Sequence, residues 1–194
     1  MPKLLLLLTS CLAAQLTLAD WQLDPGGSEL TFTTVKKETI TETHQFRQLS
    51  GSVTEAGQGR LEVLLSSVDT ANLVRDERLK IYLFEIDKFA TASFEADLAL
   101  DEIFAMEEGV SLDFVLNGSL SLHGLSQPLQ TVVSVTRGAD QMFTVETTEP
   151  ITLDSGDFGF TKGLNQLREM ADLVSINPTV DVTMKLQFRQ VTGS

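Results

Sequence analysis

The chain has 194 residues, 27 acidic against 14 basic, with two histidines and one cysteine. Its net charge of -13 repels nucleic acid and anionic surfaces at long range, so a nucleic-acid partner is excluded. The single cysteine, Cys11, falls in a leader that is expected to be removed, which excludes disulfide scaffolding, cysteine catalysis and cysteine metal ligation in the mature chain.

The chain opens with Lys3, a leucine run from Leu4 to Leu8, and a weakly apolar stretch ending Thr17-Leu18-Ala19. This is the layout of a secretory signal peptide cleaved after Ala19, so residues 1–19 are expected to be lost and residues 20–194 to form the mature, periplasmic chain. The apolar part is too short to span a bilayer, and no stable membrane insertion is expected. A competing reading takes Leu8-Thr9-Ser10-Cys11 as a lipoprotein box that leaves a lipidated Cys11. The soluble reading is preferred because such boxes follow a longer apolar run than Leu4 to Leu8. Without Lys3 the mature chain carries 13 basic and 27 acidic residues, a net of -14. No repeat, low-complexity tract or Pro/Gly/Ser linker divides it, and its length suits one domain.

Alternation dominates the mature chain. Short apolar alternations occur at Leu30 and Phe32 and at Leu61, Val63 and Leu65. The pattern then breaks. From Asn72 to Ile86, Leu79, Leu83 and Ile86 fall at three-to-four spacing, which predicts a short amphipathic helix. Alternation returns at Phe94, Ala96, Leu98 and Leu100, and is longest from Val110 to Leu122, where Leu112, Phe114, Leu116 and Leu120 share one face. At roughly 3.4 Å per residue this run outreaches a usual strand, so a bend is expected, with Gly118 the natural place. Leu129 to Val135 and Phe143 to Thr147 predict further strands. Lys162 to Val174 predicts a second helix through Leu164, Leu167, Ala171 and Val174, and Val180 to Phe188 closes the chain with a last alternating strand. Many strands with one apolar face and short turns predict an all-β antiparallel sandwich or barrel. Long, bent strands favour a barrel, with one or two short helices at its mouth or base.

Candidate chemistry is sparse. His44 and His123 are the only histidines, and a metal site would need both plus distant carboxylates; satisfied or exposed imidazoles are the simpler state. No G-x-S-x-G supports a serine nucleophile, and Ser126 has no partner signal. Glu107-Glu108 and the pair Asp154 and Asp157 read as solvated loop charge, and no Gly-rich phosphate loop is present. No catalytic residue, metal ligand or cofactor is therefore assigned. The cations Arg75, Arg78, Lys80 and Lys88 cluster beside Leu79, Tyr82, Leu83 and Phe84. One reading makes them a charged outer helix face with Arg75 paired to a carboxylate; the other sets Arg75 and Arg78 at a barrel mouth, where they meet a polar headgroup.

Arg75-Asp76, Leu79, Phe84, Phe89, Ala92 and Phe94 occupy a run of the form R-D-x-x-L-x-x-x-x-F-x-x-x-x-F/Y-x-x-A-x-F, which resembles the signature region of the YceI-like family. Trp21, Asp24, Ser28 and Phe32 resemble the family's opening, although Gly27 stands where histidine is usual. Thr43-His44-Gln45-Phe46 leading to Gly51-Ser52-Val53 resembles its next strand pair. Leu120 to Gly124 with Pro128 resembles a family turn, and Asp157-Phe158-Gly159 through Leu167-Arg168 to Val182 resembles a branch with a late helix before the last strand. The resemblance spans the mature chain and implies a periplasmic, lipocalin-like barrel of about eight strands that binds a polyisoprenoid or other lipid without catalysis.

On this reading Phe32, Leu79, Leu83, Phe84, Phe89, Phe94, Leu112, Phe114, Leu116, Phe158, Leu164 and Leu167 are the candidates to line a cavity or its mouth. A barrel of this size either fills with side chains or holds one ligand. Two other readings stay open: an interaction or stress-response module with a filled interior that partners a membrane redox protein, and an enzyme on an apolar substrate. Oligomeric state is open as well, a homodimer included.

Overall fold

The computed structural model describes residues 21–36 and 40–191; the expected leader and Cys11 lie outside them. Twelve strands form one antiparallel sheet: β1 (Trp21–Leu23), β2 (Glu29–Lys36), β3 (Ile40–Phe46), β4 (Leu49–Val53), β5 (Gln58–Leu64), β6 (Val68–Asp69), β7 (Thr91–Asp97), β8 (Ser111–Leu122), β9 (Leu125–Arg137), β10 (Phe143–Thr147), β11 (Ile151–Asp154) and β12 (Thr179–Gln190). They act as eight. β1 and β2 lie end to end on β12, with Leu23 opposite Phe188 and Phe32 opposite Val182, and β10 and β11 share the other side of that strand. β3 with β4, and β5 with β6, are likewise halves of single barrel strands. β1 pairs with β4 as well as β12, so the meander closes.

The break between β1 and β2 has a local cause. Asp24 caps a 3-10 turn at Pro25–Gly27 by accepting from the Gly26 N–H, and its second carboxylate oxygen accepts from Arg189 Nε at 2.9 Å. Ser28 Oγ donates to the Asp24 carbonyl at 2.7 Å and accepts from the Gln187 N–H at 3.0 Å. The Asp and Ser of the opening motif therefore staple this corner to β12. β8 and β9 form one ladder from Ser111↔Thr136 to Leu122↔Leu125. His123 and Gly124 make their two-residue turn, both at positive φ, as a hairpin of this hand requires.

The alternating segments fall on strands, with corrections at their ends. β8 runs unbroken through Gly118, the expected place of a bend, and its pairing with β7 ends there at Ala96↔Gly118. Leu98 and Leu100 are not strand residues: β7 ends at Asp97, and Leu100 starts the short helix α2 (Leu100–Phe104). The helix expected over 72–86 divides into α1 (Leu73–Arg78), capped by Asn72, and a π-helical turn at Leu79–Leu83 in which the Phe84 N–H reaches the Leu79 carbonyl at 2.9 Å. The second helix, α3 (Thr161–Met170), stops before Val174, which is 95% exposed.

The barrel's two ends differ. Around β1, β4 and β10 the interior is packed by Trp21, Val133, Val135, Phe143, Leu186 and Phe188, which leave a small cavity among them. Trp21 stacks on Phe104 of α2 with ring centroids 4.9 Å apart, so α2 plugs this end. Around β2, β3 and β11 the interior is hollow, and α1, the π turn and α3 lie across it. α3 seats closely because Gly163 has no Cβ; one placed there would stand 2.4 Å from the Tyr82 carbonyl oxygen.

Candidate ligand-binding cavity and its mouth

The hollow end holds a cavity of ≈ 590 Å³, within the range for a single small ligand. Its wall comes from inward faces of strands: Leu30 and Phe32 on β2, Phe46 on β3, Leu61 and Val63 on β5, Phe94 on β7, Leu116, Leu120 and Leu122 on β8, Leu129 on β9, and Val180, Val182 and Met184 on β12. Its cover is Leu79, Leu83 and Phe84 from the π turn, Phe158 and Phe160 from the following loop, and Leu164 and Leu167 from α3. Phe84 joins wall to cover, its ring 5.9 Å from Phe46 and 6.0 Å from Phe160 in an edge-to-face contact.

Charged and polar residues cluster where β3 meets α1, while Thr131, Asp154, Ser155 and Asn177 line the cavity from β9, the end of β11 and the segment before β12. In the cluster Glu42 and His44 share the inward face of β3 with Phe46, and Thr70, Asn72, Arg75 and Arg78 complete it. The Arg-Asp pair of the signature run makes the joint here. Asp76 is 5% exposed and accepts both from the Thr70 N–H at 2.9 Å and from Thr70 Oγ1 at 2.5 Å. Arg75 donates to Thr70 Oγ1 at 2.8 Å, to the Thr70 carbonyl at 2.6 Å and to Glu42 Oε2 at 2.8 Å. The guanidinium is thus spent on fastening α1 to β3 and to the segment after β6. Arg78, one helical turn on, donates only to the Met170 carbonyl at 3.3 Å and has no carboxylate partner among the described residues. No buried side-chain polar atom among the described residues lacks a hydrogen-bond partner.

Of the residues singled out from sequence, the cavity brings together Phe32, Leu79, Leu83, Phe84, Phe94, Leu116, Phe158, Leu164 and Leu167, with Arg75 and Arg78 in the polar cluster. Three lie elsewhere. Phe114 lines a smaller cavity of ≈ 160 Å³ toward the filled end. Leu112 sits near the start of β8, beyond the reach of β7, and is 48% exposed. Phe89 packs over the β8–β9 turn, 4.5 Å from the His123 ring. Glu42 and His44 were not legible as cavity residues, because the polar β3 sequence shows no apolar face. His44 is buried, with Nε2 3.1 Å from Thr34 Oγ1.

His123 knots three segments. Its Nδ1 lies 3.0 Å from the Phe158 carbonyl and therefore donates, while Nε2 lies 3.1 Å from Glu85 Oε2. Lys88 and then His123 hold the Glu85 carboxyl below its usual range by hydrogen bonding. The Ala71 N–H and then Arg47 do the same for Asp69. A carboxylate whose pKa falls on folding contributes stability above its unfolded pKa, and that contribution disappears as pH falls through the folded value. Urea unfolding carried from neutral into acid pH is expected to show this loss, and Glu85→Gln is expected to make the acid limb shallower. A limb of unchanged slope in Glu85→Gln would remove Glu85 from the account.

The architecture is that of a lipocalin-like protein: a closed eight-stranded antiparallel barrel, hollow at one end and lidded by short helices. The chain belongs to the YceI-like family, whose domain spans residues 21–188. A polyisoprenoid binding domain from Saccharophagus degradans, implicated in plant cell wall breakdown, superposes with a TM-score of 0.87 at 29% identity, covering 89% of this chain and 99% of that one. BcnA from Burkholderia cenocepacia superposes at 0.65 and 14% identity, with 85% and 98% covered. A YCEI protein from Campylobacter jejuni gives 0.55 and 16%, with 82% and 91% covered. At the identities of the last two the likeness is one of fold. No curated protein matches the sequence.

Proposed function

We propose that this chain is a non-catalytic carrier, exported to the periplasm after cleavage at Ala19, that encloses one linear apolar chain, a polyisoprenoid or another lipid, inside its barrel. The observation that carries this reading is the ≈ 590 Å³ cavity, walled mainly by apolar side chains and with Arg75 and Arg78 among its lining. Likeness to a polyisoprenoid binding domain over nearly its full length supports the ligand class. Hydrophobic transfer suffices as the mechanism: at roughly 0.8 kcal/mol per CH2, a dozen buried carbons contribute about 10 kcal/mol before the costs of ordering. The tail lies along Phe32, Leu116 and Leu120, and the head meets Arg78, the less committed of the two arginines. No helix among the described residues is long and apolar enough to cross a membrane.

Delipidated protein titrated with prenyl alcohols and prenyl diphosphates tests this. Ligand at about 100 times its dissociation constant should add roughly 2.7 kcal/mol of stability and raise the melting temperature. Arg78→Glu should reduce the shift for diphosphates and leave that for alcohols nearly unchanged. Arg75→Glu should lower the stability of the unliganded protein itself, since the bonds from Arg75 that fasten α1 to Glu42 and Thr70 are lost. Intact mass of the secreted protein is expected to begin at Asp20; a diacylated Cys11 would make the carrier an anchored one.

A further inference from the structure

The ≈ 590 Å³ and ≈ 160 Å³ cavities share four lining residues, Leu61, Phe94, Leu116 and Met184. These side chains form a partition across the barrel, and Phe94 is its one aromatic member. Phe94 stands opposite Leu61 on one neighbour and Leu120 on the other, but its ring leans along the barrel toward the filled end and lies over Gly118. A Cβ on Gly118 would fall 2.3 Å from Phe94 Cζ and 2.6 Å from Cε2, so the glycine leaves the slot the ring occupies. The ring is only half-buried although it sits on an inward face, because open space adjoins it.

We infer that Phe94 sets the chain length this barrel accepts: its ring is the floor on which the tail of the apolar ligand ends. This rests on the carrier reading above and adds its specificity determinant. At about 30 Å³ per heavy atom, the share a small molecule takes in a liquid, the smaller cavity takes about one isoprene unit. Removing the ring frees space for about one more. Phe94→Ala therefore opens the upper cavity into the lower and lengthens the accepted chain by about two units on that packing estimate.

Delipidated wild-type and variant proteins titrated with all-trans prenyl alcohols, from geraniol upward one isoprene unit at a time, test this. In the wild type, affinity should rise with each unit up to a break and then fall. In Phe94→Ala the break should lie about two units later. Affinity for the alcohol of that length should rise at least about tenfold over wild type, as one methylene in an apolar pocket already discriminates that strongly. Phe94→Leu, the milder truncation, should move the break in the same direction. Adding Ala96→Phe, at a residue that lines only the smaller cavity, puts back six heavy atoms and should shorten the accepted chain again by about one unit, which general loosening would not do. An unmoved break in both Phe94 variants, or one that the added Ala96→Phe does not shorten, would overturn the inference while leaving the carrier standing. A wild type that binds no alcohol of any length would overturn both.

Discussion

Phe84→Ala is expected to destabilise the protein by about 3 to 4 kcal/mol, the lower part of the range for such truncations, measured as the shift in the urea midpoint at unchanged slope. The residue is 7% exposed and its ring joins β3, through Phe46, to the segment before α3, through Phe160. Truncation removes both contacts together and leaves a void that a rigid barrel wall does not close. The cost stays below the maximum because one side of the ring already faces the cavity, where partner atoms are missing. The same variant should weaken retention of apolar ligands, since the lid loses its fastening to the wall. A loss below about 1 kcal/mol, the value for an average substitution, would mean that the helical cover is not packed onto the barrel.

Ala92→Trp is expected to abolish ligand-linked stabilisation. Ala92 is buried, lines the cavity from β7 and stands opposite Val63. An indole there, at about 30 Å³ per heavy atom, takes up roughly half of the space where the ligand lies. The unliganded protein should lose little stability, as the side chain enters existing space; overpacking a filled core costs about 1 to 3 kcal/mol. The gain of about 2.7 kcal/mol from apolar ligand at 100 times its dissociation constant should fall to near zero. An undiminished gain would place the ligand outside the barrel.

The barrel and most of its lining were legible because alternation reports which face of a strand turns inward. Leu116, Leu120 and Leu122 share one face in sequence and one cavity in space. Alternation does not report where a strand loses its neighbour, which is why Leu112 and Phe114 read like Leu116 yet lie outside the main cavity. Leu98 and Leu100 kept the period by chance; the backbone leaves the sheet at Asp97 and both residues cover the barrel's closed end. The π turn was invisible because one extra residue leaves Leu79 and Leu83 at helical spacing. The polar cluster of the cavity was half legible. Arg75 and Asp76 stood out by composition, but their partners Glu42 and Thr70 are set by β3 and β6, and no local pattern announces them. His123 illustrates the same limit: it read as an exposed or locally satisfied imidazole, and its partners Glu85 and Phe158 come from segments brought together only by the fold.

The central claim is that the hollow end of the barrel holds an apolar chain. Native mass spectrometry of the protein purified from its own host, followed by organic extraction, measures this directly. The account predicts a recurring apolar adduct, released into the organic phase and missing from Ala92→Trp prepared in parallel. Wild-type protein that carries no adduct, and whose melting temperature does not respond to prenyl alcohols or fatty acids after delipidation, would contradict it.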